Sequence, residues 1–193
     1  MLNKEINVSF AVTRRTVSLF LAALFIASSV HAEAVIGLSM IPISATPFDM
    51  KLQQSGFFQI QTNQIAAPSM STLESIFLKA RSFRYSPDLR GDRWQSPEET
   101  EVRRSGDCED KAIWLYAELK KQGFSQVRLV IGKLRSFDNK CHVWVEIGDP
   151  NDALIVDAAA QKRVWKRSDF ESGFYRPLYA FDGEKRLSFK KAS

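Results

Sequence analysis

"RRSGDCEDKAIWLYAELKKQG", residues 103–123, joins a glycine turn to a helix and sets a cysteine at the joint. Asp107 stands where a helix N-cap would accept a backbone N–H. Ala112, Ile113, Leu115, Tyr116 and Leu119 recur at the three- and four-residue spacing of one apolar helical face. Lys120 and Lys121 suit the negative C-terminal end of that helix, and Gly123 stops it. Cys108 therefore falls in the first helical turn. Two readings of it compete: an activated nucleophile, or half of a structural disulfide with Cys141.

The residues on either side of this stretch set the fold class. Upstream, Ser71 and Glu74 have capping-box spacing. Leu73, Ile76, Phe77, Ala80 and Phe83 then form a helical stripe suited to core packing. A short helix follows, with Ser96 as N-cap, Pro97 at its first position and Glu99 completing a second capping box. Downstream of Gly123 the apolar period changes from 3.6 to 2. "VRLVIGKL", "HVWVEI" and "ALIVDA" read as strands separated by "SFDNK" and "GDPND". "RPLYAFD" and "RLSFK" read as a closing hairpin around Asp182-Gly183. Helices first and strands after predict an α+β fold, with N-terminal helices packed on an antiparallel sheet.

The first 32 residues read as a signal peptide rather than as part of the fold. Arg14 and Arg15 precede an apolar run from Val17 to Ala27, and Val30-His31-Ala32 supplies a V-x-A cleavage site. About 11 residues is too short to span a bilayer, which needs about 20. The expected location is periplasmic or secreted. Removing residues 1–32 takes away Lys4, Arg14, Arg15 and Glu5, so the net charge falls from +5 to +3. That excess is too small to point to nucleic acid. Residues 33–70, rich in Ser, Thr, Gln and Pro, read as an extended leader with one strand near "GFFQIQT". Residues 71–193 read as one domain with one core.

The candidate chemistry centres on three residues. At a helix N-terminus the partial positive charge favours the thiolate of Cys108, and its own backbone N–H could face an oxyanion. Asp107, Glu109 and Asp110 oppose ionisation, so a positive neighbour is needed, and protonated His142 is the candidate. On the 142–147 strand the two-residue period puts His142, Trp144 and Glu146 on one face. Cys141, Val143, Val145 and Ile147 take the other, so Cys141 is expected to be buried and turned away from the His142 side. That divergence argues against a Cys108–Cys141 disulfide. Asp157, at the end of the next strand, is placed to orient His142 as the acid of a nucleophile–base–acid triad. A turn aspartate is the plainer reading of the same residue.

The ordered set "RWQSPEET", "GDCEDKA", "HVWVE" and "VDA" resembles the transglutaminase-like superfamily, in particular the bacterial cysteine peptidases of the LapG type. The resemblance spans roughly residues 84–157. It implies a papain-like core with the nucleophile on a helix against an antiparallel sheet. It implies that Cys108 attacks a carbonyl, His142 is base and then acid, and Asp157 orients His142. It also implies a calcium site on Asp107 and Glu109, with Asp110 nearby. Clustered carboxylates suit calcium, whereas the plainer reading gives them to the helix dipole. The triad itself requires no cofactor. The implied partners are a protein or peptide substrate, such as a cell-surface adhesin, and an inner-membrane receptor that restrains the enzyme.

Two other functions fit the same residues. Amine can replace water at the thioester, which would make the chain a transglutaminase-type acyl transferase. A non-catalytic binding domain on the same scaffold is the third reading. It has no use for Cys108, His142 and Asp157 together. Trp94 reads equally as a wall of the cleft and as a packing residue.

Overall fold

The structure, a computed structural model, describes residues 37–62, 68–135 and 141–191. The expected signal peptide and the "SFDNK" turn lie outside the described residues. No helix among the described residues is long and apolar enough to cross a membrane.

Among the described residues, seven strands form one antiparallel sheet in the order β1-β9-β8-β4-β5-β6-β7. They are β1 (Leu38–Pro42), β4 (Val127–Leu134), β5 (His142–Ile147), β6 (Leu154–Val156), β7 (Trp165–Lys166), β8 (Tyr175–Asp182) and β9 (Lys185–Lys191). The short strands β2 (Arg84–Tyr85) and β3 (Ser105–Gly106) pair in parallel beside it. The helices are α1 (Asp49–Gln54), α2 (Met70–Ser82), α3 (Pro97–Arg103) and α4 (Cys108–Lys121). Helices α2, α3 and α4 are those expected from the sequence, and α1 is an addition.

Side-chain alternation explains the two cores. On the central strand β4, Leu129 and Ile131 face the helices, while Val130 faces the other way. Val143, Val145 and Val156 join the helical side, where they meet Leu73, Phe77, Ile113, Leu115 and Leu119. Each such fully buried side chain contributes about 1.5–3 kcal/mol. The opposite face holds Trp144, Ile155, Tyr175 and Ala180, covered by Phe170 and Phe174. This second core lets the sheet be apolar on both faces, which accounts for the near-continuous hydrophobic run of β4.

Several expectations are corrected. Residues 38–59, expected as an extended leader, form an edge strand, a helix and a 3-10 turn at Phe57–Gln59. "GFFQIQT" is therefore not a strand. Leu52 and Phe57 are fully buried, and the Phe57 ring lies 4.6 Å from that of Tyr116. The polar composition concealed these few anchors. Helix α2 is capped by Ser69, whose hydroxyl accepts from the Thr72 N–H, rather than by Ser71. Ser96 caps α3 as expected, accepting from the Glu99 N–H. The Glu99 carboxylate turns instead to Arg93 and Arg103.

Gly132 meets a steric demand where β4 passes β8. A Cβ there would lie 2.3 Å from the Arg176 carbonyl oxygen and 2.6 Å from the Trp144 ring. The register of β4 against β8 shifts at this point.

Candidate active site

Cys108 is the first residue of α4, with Asp107 as N-cap. The turn before it is built tightly. Helix α3 ends on Arg104 in the left-handed region, and β3 then pairs with β2 through Arg84 N–H to Arg104 O and Ser86 N–H to Gly106 O. Asp110, one turn into α4, accepts from the Gln95 N–H at 2.8 Å, the Gln95 Nε2 at 2.6 Å and the Asp107 N–H. Its carboxylate thereby locks the 86–95 loop to the helix. A Cβ on Gly106 would sit 2.5 Å from the Asp110 Cβ, so the glycine of "GDCED" makes room for this lock. Lys111 donates to the Phe83 carbonyl at 2.7 Å and ties α4 to the end of α2.

Helix α4 packs on β5, and the Val143 backbone amide donates toward the Cys108 sulfur. Val143 adjoins His142. The His142 Nε2 is 2.8 Å from Asp157 Oδ2, and both side chains are buried. Asp157 follows β6, whose Val156 pairs with Val145 of β5. Adjacent antiparallel strands therefore bring together two residues fifteen apart in sequence. Asp157 Oδ1 accepts the Ala159 and Ala160 N–H groups, and Oδ2 also accepts the Tyr175 hydroxyl at 2.7 Å. Burial works to raise this carboxyl. The His142 charge and hydrogen bond, the Tyr175 hydroxyl and the backbone donors outweigh it and hold Asp157 below the usual carboxylate range.

With Asp157 ionised, His142 Nε2 is the donor, and the neutral ring carries its proton there. Nδ1 is then the nitrogen with a lone pair for proton transfer. His142 also stacks on Trp144 at 6.1 Å and 20°.

The cysteine itself differs from a simple helix-activated thiolate. Its Sγ donates to Glu109 Oε2 at 3.0 Å. Burial first, and then the Glu109 charge, push the thiol well above its usual range. Burial together with Asp107 raises Glu109 to about 8, though the thiol hydrogen bond opposes this. Asp107 is raised by burial, with Asp88 and Asp92 adding to the shift. Asp110 is pushed by burial to about 6 against its backbone donors.

Among the described residues, no three His, Cys, Asp or Glu side chains converge as a complete metal site. Asp107 Oδ1 is nonetheless buried without a hydrogen-bond partner, as is Gln95 Oε1. These are hard oxygen donors in a region of excess negative charge, and that chemistry suits a divalent cation such as calcium.

Both cysteines are free, so the disulfide reading falls. Cys141 is exposed just ahead of β5, not a buried core residue, because the alternation begins only at His142. Trp94 is buried, stacks on Phe48 at 5.9 Å and donates to Asp92 at 3.0 Å, so it is a packing residue. Sequence reasoning missed Tyr175 and Gln161, and also Tyr85. The phenol of Tyr85, half exposed, is raised by partial burial and by its proximity to Cys108 and to the carboxylates of Asp107, Glu109 and Asp157. Only the pairing of β2 with β3, just before the nucleophile, could have signalled Tyr85.

No protein-family model and no curated protein matches the chain. Solved structures do. The calcium-bound LapG of Legionella pneumophila is 25% identical, with a TM-score of 0.55, over 68% of this chain and 73% of that one. The EGTA-treated form of the same protein is 26% identical, with a TM-score of 0.57, over 71% and 74%. The likeness supports a cysteine-peptidase type of function. In fold as in sequence motifs, the chain is similar to the LapG-type transglutaminase-like cysteine peptidases.

Proposed function

We propose that the chain is an exported, periplasmic cysteine peptidase or amidase acting through Cys108, His142 and Asp157. The observation that carries this is the buried His142–Asp157 hydrogen bond, set beside the N-terminus of the cysteine-bearing helix. In this reading the Cys108 thiol turns from Glu109 Oε2 to His142 Nδ1, which takes its proton as Sγ attacks the substrate carbonyl carbon. The Cys108 N–H, which has no intrahelical acceptor in the first turn, faces the developing oxyanion. His142 then gives the proton to the departing amine, leaving a thioester. Water, activated by the same Nδ1, hydrolyses it and restores the thiol. Asp157 keeps Nε2 protonated throughout and stabilises the imidazolium. The substrate is a protein or peptide, such as a surface adhesin, and the regulator is an inner-membrane receptor.

Asp107 and Glu109 would hold a calcium ion, and the bound ion would supply positive charge beside the nucleophile. Their crowding and the orphaned Asp107 oxygen support this reading. The function is tested by incubating the full chain with a peptide library in calcium or in EGTA and reading new termini by mass spectrometry. Cleavage that disappears in Cys108→Ala supports it. Incorporation of an added amine in place of new termini would instead make the chain an acyl transferase. No product of either kind would overturn the enzymatic reading.

A further inference from the structure

We propose that Tyr175, aimed by Gln161, is a positioning residue that fixes the carboxylate of Asp157 and through it the tautomer of His142. This deepens the peptidase reading and, as a role in the reaction, rests on it. The Tyr175 ring is held on three sides. Trp144 lies at 5.0 Å, Phe170 at 4.9 Å and Phe174 at 5.4 Å. Its hydroxyl is therefore delivered to one place, between Gln161 and Asp157.

The direction of each hydrogen bond follows from chemistry. Gln161 Nε2 lies 3.0 Å from the phenol oxygen, and an amide nitrogen can only donate. The phenol proton therefore points to Asp157 Oδ2, at 2.7 Å. Burial and the Asp157 charge keep that phenol protonated. Gln161 is anchored in turn, since its backbone N–H donates to the Asp157 carbonyl.

The consequence falls on the carboxylate. Oδ2 accepts His142 and Tyr175, while Oδ1 accepts two backbone amides. Rotation about the Asp157 side chain would break all four. A carboxylate so loaded remains an acceptor toward His142 Nε2, and the proton on that nitrogen stays there. A tyrosine serving only as core filler would need its ring contacts and any acceptor at all. Here the hydroxyl shares the oxygen that orients the base.

The test is the His142 ring tautomer in the 15N-labelled full chain, assigned with a His31→Gln variant. In the wild type, neutral His142 should be almost wholly the Nε2–H form. Without the hydroxyl, Asp157 loses one of the two bonds on Oδ2 and its carboxylate can turn away from Nε2, so Tyr175→Phe should shift the His142 15N resonances toward the Nδ1–H form. Gln161→Leu should shift them less, in the same direction. An unchanged tautomer in both folded variants would overturn the proposal. If Tyr175→Phe fails to fold, Gln161→Leu decides alone by the same two outcomes. The readout needs no substrate. Failure of the peptidase reading would show separately, as a wild-type Cys108 that does not react with iodoacetamide while the tautomer pattern holds.

Discussion

Glu146 is the most consequential charge in the second core. It is fully buried, and four donors converge on it. Arg128 Nε and Nη2 reach Oε2 at 3.1 and 2.8 Å, Trp144 Nε1 reaches Oε1 at 2.9 Å, and Arg167 also bonds Oε1. Arg128 and Arg167 are themselves largely buried. Glu146→Ala would leave two guanidinium groups facing one another without a counter-charge. Removing one partner of a buried pair costs about 3–5 kcal/mol. Arg128 keeps a bond to the Gly148 carbonyl, which argues for the middle of that range, about 4 kcal/mol. For a domain of this size each kcal/mol lowers Tm by about 2–4 °C, so the expected drop is about 8–16 °C. Glu146→Gln keeps the shape and some of the hydrogen bonds and should lose about half as much free energy. Thermal and urea unfolding followed by far-UV circular dichroism would measure both. Lys121→Ala, at an exposed ion pair, serves as a control and should change stability by less than about 0.5 kcal/mol. A loss below about 1 kcal/mol in Glu146→Ala would refute the claim that this carboxylate holds the second core together.

Two further outcomes follow from particular contacts. Gly132→Ala places its methyl against the Arg176 carbonyl and the Trp144 ring, so it should destabilise by about 1–3 kcal/mol and reduce the recovery of folded protein. Wild-type stability by urea unfolding would refute the close approach. Glu109 and Asp110, held at about 8 and about 6, bind protons more tightly when folded than when unfolded. Their contribution is full at acid pH, below the unfolded carboxylate range, and is lost as pH rises through those values. In EGTA, urea midpoints should therefore fall as pH rises from the ordinary carboxylate range to about 8. Calcium should flatten the slope, and an identical slope with and without it would contradict a cation at Asp107 and Glu109.

The parts of the fold that follow from local periodicity were legible in the sequence. Helix α4 announced itself through its apolar face, and β4, β5, β6, β8 and β9 through alternation and turns. His142 and Asp157 could be paired because neighbouring strands in an antiparallel meander put strand ends together. Strand β1 was hidden because it pairs with β9, about 150 residues away, and its own burial pattern is mixed. Strand β7 is two residues long, too short for any period. Tyr175 was missed because its role depends on reaching across the sheet face to Asp157, 18 residues back in the chain. The charge setting of Cys108 was legible only in part. The helix dipole is readable from position, but the opposing burial and the Glu109 contact exist only in the folded chain.

The most direct test of the proposed nucleophile is the pH dependence of iodoacetamide alkylation at Cys108, read by mass spectrometry with calcium and with EGTA. Exposed Cys141 provides the internal reference, since a free thiol titrates near about 8.5. The expected result is rapid Cys108 alkylation below pH 7 in calcium that is lost in His142→Ala, with the reaction displaced to higher pH in EGTA. Cys108 reacting no faster than Cys141 below pH 7 in calcium, and unchanged by His142→Ala, would contradict it.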